Sequence, residues 1–255
     1  MHIIDPPDEA IVDAAMRLVE IRRLPGAVLA MAPLPDFDRT VVNMWSRTAS
    51  LIGLPLHIVN GSEIIHSFGV SSTKDTPPMT ALSSRRVVAV GRTGRVHSAP
   101  WYDYLIELWT SSGRRIIGFE GPVLNSVEVR PGRNTLENPP PNKILAIQED
   151  SLGRLWVVRS QRRGDWQHAV SEVVDERGRI GLALKEGRSV YDGRIDVIDL
   201  TNATIVATWQ GEARLVSFVD DGLALEDHSL EDGTPQLVVW RVEFESKQPA
   251  RGRKP

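Results

Sequence analysis

A four-residue apolar segment recurs four times along this chain. The copies begin at residues 28, 87, 144 and 215 and read VLAM, VVAV, ILAI and, more loosely, LVSF. Each copy opens a pattern of strand, turn and strand. Self-similarity at this period is typical of stacked repeat units rather than of a single mixed core.

The second half of each unit repeats as a hairpin with a short polar turn. Three such turns occupy residues 60–62 (NGS), 111–113 (SSG) and 201–203 (TNA). Turns of this kind between apolar runs predict β-hairpins, because Gly and Asn tolerate positive φ. Each returning strand carries a branched aliphatic residue three positions after its turn and an aromatic residue six positions after it: Ile65 and Phe68, Ile116 and Phe119, Val206 and Trp209. The two positions point to opposite faces of a strand, which predicts sheets that pack on both faces.

Composition and charge narrow the functional classes. The 255 residues include 41% hydrophobic side chains, enough for a sizeable core in one all-β domain or two smaller ones. A net charge of −3 predicts neither a nucleic-acid partner nor a patch for anionic membranes. The absence of cysteine excludes disulfides and thiolate metal sites and does not indicate a compartment. No apolar stretch approaches the roughly 18 residues of a transmembrane helix.

The first residues, MHIID, lack the basic and then apolar regions of an export signal. Taken as it stands, the chain predicts a cytoplasmic location. If the natural protein begins upstream, an exported or periplasmic location is expected instead, and we favour this second interpretation slightly.

Several segments are less regular than the repeats. Residues 2–24 fit two interpretations, a helix through Arg22 or a strand over residues 17–22, and the strand is favoured. The proline-rich residues 131–142 predict a stiff connector. The insertion 160–192 is the longest irregular segment, and a short helix is expected near residues 166–175. The basic residues 247–255 are expected to be disordered.

Residues 150–157 (DSLGRLWV), which follow an apolar strand, resemble the inner hairpin of six-bladed β-propellers of the NHL and TolB-like kind. Weaker copies occur at 91–97 (GRTGRVH) and 219–225 (VDDGLAL). Three further segments are similar to uncharacterised exported bacterial propellers, namely 35–43 (PDFDRTVVN), 53–57 (GLPLH) and 66–69 (HSFG). The resemblance covers most of residues 17–244 and implies an all-β propeller of antiparallel four-stranded blades.

The expected domain is a single β-propeller over residues 1–246. Its repeat units lie near residues 26–70, 84–130, 143–210 and 213–245. Blades of about 40 to 50 residues would allow six in this chain only without long loops, and just four strand-hairpin pairs can be placed. Four to five blades are therefore expected, and the chain looks like the C-terminal four or so blades of an incomplete propeller. Such a propeller would either be open or be closed by a strand from residues 17–24 that completes the last blade. An open propeller would expose strand edges and an apolar blade face, and self-association would then be expected.

Catalytic and metal motifs are lacking in the sequence. The six histidines include no pair with zinc-protease spacing, and no nucleophile elbow, Walker loop or dinucleotide fingerprint occurs. His57 and His66 lie in paired strands and are interpreted as structural. The acidic run 220–232 is interrupted by too many apolar residues for an EF-hand loop, so calcium is a minor alternative and no cofactor is expected. Asp150 and Gly153 are interpreted as turn formers.

Aromatic loop residues are the best recognition candidates. Trp101 and Tyr102 fall between the inner and outer hairpins of the second unit, and Trp166 and His168 fall in the long insertion of the third. Propellers bind through loops at one end, where rigid aromatic side chains give contact area at low entropic cost. The alternative is that Trp101 and Trp166 pack between blades, as is expected of the other tryptophans in the strands, Trp156, Trp209 and Trp240.

Two functional classes follow. The first is a non-enzymatic binding or scaffold propeller with an unknown protein or small ligand on one face. The second is a propeller hydrolase or lactonase that holds a calcium ion in the channel, to which Asn43, Asn125 and Asn134 could contribute. The two are distinguished by whether three such oxygens converge within about 2.3–2.6 Å of one point.

Overall fold

The computed structural model describes nine segments of the chain: residues 2–5, 8–12, 18–23, 27–36, 38–45, 55–69, 85–125, 134–229 and 234–243. These residues form strands and turns with a single turn of 3-10 helix, and no α-helix occurs among them. The strands are rich in Val, Ile, Leu and Trp, the residue types that fit a pleated, half-buried surface. The predicted disordered tail, 247–255, lies outside the described residues.

The N-terminal residues form a sheet of their own. Three antiparallel strands make it up, with the second in the centre: β1 (His2–Asp5), β2 (Asp8–Val12) and β3 (Leu18–Arg23). The strand interpretation of residues 17–22 is therefore confirmed and the helix interpretation is wrong. Strand β3 pairs with β2 and is not hydrogen-bonded to the last sheet of the chain, so its predicted role in closing that sheet is not observed.

Two complete four-stranded antiparallel sheets follow, each a simple meander. The first blade contains β4 (Ala27–Pro33), β5 (Thr40–Trp45), β6 (Leu56–Asn60) and β7 (Glu63–Phe68). The second blade contains β8 (Arg86–Val90), β9 (Val96–Pro100), β10 (Leu105–Trp109) and β11 (Arg115–Glu120).

The third and fourth blades depart from this meander. The third segment contains β12 (Lys143–Glu149), β13 (Arg154–Arg162), β14 (Val170–Val174), β15 (Ile180–Leu184), β16 (Tyr191–Asp199) and β17 (Thr204–Gly211). The third blade is β12-β13-β16-β17, and β14 and β15 form a separate hairpin inserted between its middle strands. Among the described residues, the fourth blade has three strands: β18 (Leu215–Asp220), β19 (Leu223–Ser229) and β20 (Pro235–Arg241).

The blades are arranged as in a propeller. Their innermost strands lie side by side in chain order, with β4 against β8, β8 against β12, and β12 against β18. All four repeated tetrapeptides lie in these innermost strands, and all three predicted polar turns join paired strands. The chain is thus an all-β propeller of antiparallel blades, as the repeats and the motif resemblance together predicted.

An apolar cluster fills each joint between neighbouring blades. Leu34, Ile58 and Phe68 of the first blade pack with Val96 and Trp109 of the second. A second cluster joins the second and third blades and contains Ile106, Phe119, Ile144, Leu155 and Ile198. A third joins the third and fourth blades and contains Trp156, Val158, Ile195, Leu215 and Ala224. Burial of each large aliphatic side chain contributes about 1.5–3 kcal/mol to stability.

The outermost strands pack on one face only, which corrects the prediction of two-sided packing. Phe68 and Phe119 are buried, whereas the aliphatic residues three positions earlier, Ile65 and Ile116, are 50% and 47% exposed. Val206 in β17 is likewise 43% exposed. These strands are the edges of their sheets, so a single face meets the neighbouring blade.

The tryptophans follow the same division. Trp156 lies in a central strand and is 5% exposed, as expected. Trp209 lies in the edge strand β17 and Trp240 in the last strand β20, and they are 38% and 46% exposed. The expectation that both pack between blades is wrong, since both indole side chains are exposed.

Candidate functional site

One end of the second and third blades gathers aromatic and basic side chains. In an antiparallel sheet the start of one strand and the end of the next lie at the same edge. This places at one end the starts of β8, β12 and β16 and the ends of β9 and β13, with the loop 101–104. We call the group of half-buried residues there the blade-end site: Arg85, Trp101, Tyr102, Lys143, Arg162 and Tyr191.

The backbone of Trp101 ties the two blades together at this end. Its N–H donates to the carbonyl of Arg85 at 3.0 Å, and its carbonyl accepts from the N–H of Ile144 at 2.8 Å. Arg85 directly precedes β8 and Ile144 is the second residue of β12. The indole is therefore carried on backbone that is fixed to the innermost strands of both blades.

Two asparagines hold the neighbouring loop. The Asn125 amide donates to the carbonyl of Tyr102 at 3.0 Å, and its oxygen accepts from the N–H of Asn142 at 2.8 Å. The Asn142 oxygen in turn accepts from the N–H of Arg162 at 2.6 Å. These bonds satisfy backbone groups of an irregular segment and hold Tyr102 against the start of the third blade.

Two cations lie over the Trp101 ring. The Arg85 guanidinium carbon is 4.9 Å from the ring centroid, and Lys143 Nζ is 5.8 Å from it. Within the described residues, neither cation is paired with a carboxylate, and the buried Nε of Arg85 has no hydrogen-bond partner. Burial and the nearby Arg85 charge lower the pKa of Lys143. The site thus holds concentrated positive charge.

Two tyrosines extend the site towards the third blade. Burial raises the pKa of Tyr102, and the Arg85 charge opposes this shift. Burial raises the pKa of Tyr191 to about 12, the Arg162 charge opposes this shift, and Tyr102 adds to it. Tyr191 lies opposite Arg162 in the β13–β16 pair, and its hydroxyl donates to the carbonyl of Pro141 at 3.1 Å. Both phenols are neutral hydrogen-bonding groups at neutral pH.

The four sequence-predicted recognition residues lie in two places. Trp101 and Tyr102 are adjacent, with ring centroids 6.3 Å apart and edge-on geometry. Trp166 and His168 lie in the 3-10 turn Trp166–Ala169, which follows β13. Trp166 is 5% exposed and lies under the Arg162 guanidinium, whereas His168 is exposed. The short helix expected near 166–175 is this single turn, and β14 follows it.

Sequence reasoning missed the basic members of the site. A signal for them exists, because Arg85 and Arg86 directly precede the second repeated tetrapeptide and Lys143 precedes the third. Basic residues at the start of consecutive innermost strands fall at the same end of a propeller. Whether each of these basic residues pairs with a carboxylate depends on contacts between strands and blades, and the repeat pattern does not predict those contacts.

Carboxylates elsewhere in these blades are paired in the interior. Arg86 donates to Glu107 at 2.5 Å, and these two side chains are 4% and 3% exposed. Asp196 is fully buried and accepts from Arg159 Nε at 2.8 Å and from the hydroxyl of Tyr104 at 2.8 Å. The Tyr104 bond joins the second blade to the third. Buried charges of this kind are tolerated because each has a partner.

The turn at Asp150 explains the D-x-x-G-x-L-W pattern. The carboxylate accepts from the N–H groups of Leu152 and Arg154, each at 2.9 Å, and from the indole N–H of Trp156 at 2.9 Å. Gly153 has φ of 75°, which favours glycine. Asp150 and Gly153 are confirmed as turn formers.

Two of the three proposed calcium ligands have other partners. The Asn43 amide donates to the carbonyl of Pro55 at 2.9 Å, and its oxygen accepts from the N–H of Arg86 at 2.9 Å. Asn125 fastens the Tyr102 loop, and Asn134 is exposed. In the described part of the chain no group of three or more histidine or acidic residues could hold a metal ion.

The two paired histidines do not meet. His57 is fully buried and its Nδ1 lies 2.8 Å from Ser67 Oγ, whereas His66 is exposed and stacks on Phe68. Burial lowers the pKa of His57, which favours its neutral form. The structural interpretation of His57 fits these contacts.

Comparisons with known proteins return similar structures but no family. No protein family profile and no curated protein matches the sequence. Hydrazine synthase from Kuenenia stuttgartiensis is similar over 93% of this chain at 11% identity and a TM-score of 0.47, and this chain spans 57% of that protein's chain. A DUF4221 family member from Bacteroides vulgatus is similar over 92% of this chain and 86% of its own, at 8% identity and a TM-score of 0.40. Virginiamycin B lyase from Staphylococcus aureus is similar over 94% of this chain and 78% of its own, at 10% identity and a TM-score of 0.37. At these TM-scores the similarities carry no information on ligand or reaction.

No helix among the described residues is long and apolar enough to cross a membrane.

Proposed function

We propose that this chain is a non-enzymatic β-propeller that binds a small ligand or a protein segment at the blade-end site. The observation behind the proposal is the fixed backbone of Trp101, which is hydrogen-bonded to both neighbouring blades while its ring stays half-exposed. A rigid aromatic side chain loses little entropy when it is covered, so such residues contribute strongly to binding.

The surroundings of Trp101 support recognition rather than simple packing. A packing tryptophan is expected to be surrounded by apolar side chains, as Trp156 is in the joint between the third and fourth blades. Trp101 instead touches the apolar cluster on one side and has Arg85 and Lys143 over its ring. In our proposal His168 adds a polar rim to the site, and Trp166 supports Arg162 from below.

Thermal unfolding with a panel of small molecules tests the proposal. The panel contains organic acids, amines, neutral sugars and short peptides, at matched ionic strength. We expect at least one class to raise the Tm of the wild type, by roughly 5–10 °C at one hundred times its dissociation constant. Trp101→Leu should lose this increase.

Trp209→Leu is the matched control, because Trp209 is a partly exposed tryptophan in the edge strand of the third blade. It should keep the ligand-induced increase. If every effective compound stabilises Trp101→Leu as much as the wild type, or no compound stabilises the wild type, the proposed site is wrong.

We also propose that the blades belong to the six-bladed NHL and TolB-like kind. The support is the Asp150 hairpin, whose carboxylate holds the turn and the following tryptophan as the motif resemblance implies. An experimental structure of the protein isolated from its natural source would count the blades around the axis. Six are expected, and any other number would contradict this assignment.

A further inference from the structure

We propose that the blade-end site binds an oxyanion, the carboxylate or phosphate group of a small organic molecule, through Arg85 and Lys143. This inference rests on the proposed function of the same surface and specifies the chemistry of its ligand. Its basis is an imbalance of charge between this site and the other buried or half-buried basic residues of the same blades.

The buried and half-buried basic side chains of these two blades that lie outside the blade-end site meet carboxylates. Arg86 pairs with Glu107, Arg154 with Asp150 at 2.8 Å, and Arg159 with Asp196 at 2.8 Å. Within the site, no acidic partner for Arg85, Lys143 or Arg162 exists among the residues that the structure describes, and Arg162 instead donates to the carbonyl of Pro140 at 3.0 Å. Two half-buried positive charges without a counterion form a site that an anion would neutralise.

The two cations also act on each other. Burial and the Arg85 charge together lower the pKa of Lys143, because burial disfavours its charged form and Arg85 repels a second positive charge. Their arrangement over one indole is therefore less favourable without a ligand than with an anion between or beside them. An anion is the ligand class that removes this repulsion.

The free donors suit an oxyanion. Arg85 Nε is buried and has no hydrogen-bond partner in the described part of the chain. A guanidinium presents parallel N–H groups that match the two oxygens of a carboxylate or phosphate, and a lysine adds a point charge with three donors.

The aromatic walls indicate that the anion is attached to an organic body. Trp101 and Tyr102 meet edge-on beside the two cations, and Tyr191 adds a neutral phenol. Their half-exposed rings offer apolar contact area in addition to charge. We therefore expect an aromatic acid or aromatic phosphate ester to bind more tightly than the bare anion.

Isothermal titration calorimetry with four sodium salts tests the inference. The probes are acetate, inorganic phosphate, phenylacetate and phenyl phosphate, with sodium chloride used to hold the ionic strength constant. The two aromatic probes should bind at least about tenfold more tightly than the corresponding bare anions. A larger affinity for phenyl phosphate or for phenylacetate then tells which oxyanion the site prefers.

Arg85→Gln and Lys143→Gln should each weaken binding by about tenfold to a hundredfold, since each removes a charged hydrogen-bond donor. Lys143→Arg keeps the charge and should retain most of the affinity. The matched control is Arg114→Gln, which removes an exposed arginine in the turn at the opposite end of the second blade. It should leave affinity unchanged.

The inference is overturned if none of the four anions binds more tightly than chloride, or if binding is the same in Arg85→Gln and Lys143→Gln as in the wild type. Thermal unfolding of each variant checks that it is folded, and Lys143→Arg provides a test of charge with little change in size. A neutral or cationic compound that binds the wild type and not Trp101→Leu would refute the oxyanion assignment and leave the proposed binding site standing.

Discussion

Arg85 and Arg86 are neighbours in sequence with opposite surroundings. Arg86 is 4% exposed and donates to Glu107 at 2.5 Å inside the second blade. Arg85 is half-buried over the Trp101 ring, and no described carboxylate pairs with it. The buried Arg86 therefore joins strands, whereas Arg85, one position earlier, remains available at the blade end.

The same division extends to the rest of the charged residues. Asp196, Glu107 and Asp150 are buried and take part in bonds that join strands, turns or blades. The charged members of the blade-end site are all positive, and two of them lie over the Trp101 ring. Asp103, in the loop that carries Trp101, is exposed. Removing a charge from the first group should therefore destabilise the fold, whereas removing one from the second should affect binding.

The largest effect is expected for Asp196→Asn. The substitution keeps the shape and removes the charge that balances Arg159 in the interior, so it should lower the free energy of unfolding by about 3–5 kcal/mol. Urea unfolding measures this. Asp192→Asn, in the same strand at a less buried position, is the control and should change stability by less than about 1 kcal/mol. Similar losses in both variants would contradict the assignment of Asp196 as an interior joint.

A smaller effect is expected for Tyr104→Phe. It removes the hydroxyl that donates to Asp196 across the joint between the second and third blades. A hydrogen bond to a charged group is worth about 1.5–3 kcal/mol, and the unfolding free energy should fall by that amount. The control is Thr208→Val, which removes a hydrogen bond to the same carboxylate from within the third blade. Comparing the two variants shows whether a bond between blades contributes more than a bond within one blade. If the unfolding free energy of Tyr104→Phe falls by less than about 0.5 kcal/mol, this hydrogen bond does not stabilise the contact between the two blades.

A pH-dependent effect is expected at Asp150. Although burial favours the protonated form, bonds from Trp156 and Arg154 hold the pKa of Asp150 below its usual value. The ionised carboxylate therefore stabilises the fold above about pH 4, the unfolded-state pKa, and this contribution is lost as pH falls through the lower folded-state pKa. Asp150→Asn should cost about 1–3 kcal/mol at pH 7, and the gap to the wild type should narrow in acid unfolding experiments. A gap that stays constant down to the lowest pH would contradict this role.

The fold could be predicted from the sequence, whereas only part of the proposed site could be. The tetrapeptides at 28, 87, 144 and 215 identified the innermost strands because apolar runs bounded by turns are local signals. Trp101 and Tyr102 were accessible because they interrupt that pattern in a loop. The sequence could not predict that Arg86 is paired and that Arg85 has no described carboxylate partner. Both depend on which side chains of separate strands and blades contact each other.

Strands β1 and β2 and the exposure of the edge-strand aliphatic residues were missed for a related reason. Residues 8–12 have no copy elsewhere in the chain, so the repeat gave no evidence for β2. Ile65 and Ile116 have the sequence of buried strand residues, yet they lie on the open face of an edge strand. Local pattern shows that a residue can be buried, and only the neighbouring blade determines whether it is.

Unfolding of Arg85→Gln and Arg86→Gln in parallel, without ligand, tests the central claim most directly. The account predicts a loss of about 3–5 kcal/mol for Arg86→Gln, because Glu107 is left buried without its main partner. It predicts a change within about 0.5 kcal/mol, or a slight gain, for Arg85→Gln, because like-charge repulsion with Lys143 is removed. Equal and large losses in both variants would show that Arg85 is a structural residue, and would contradict the division between fold and binding.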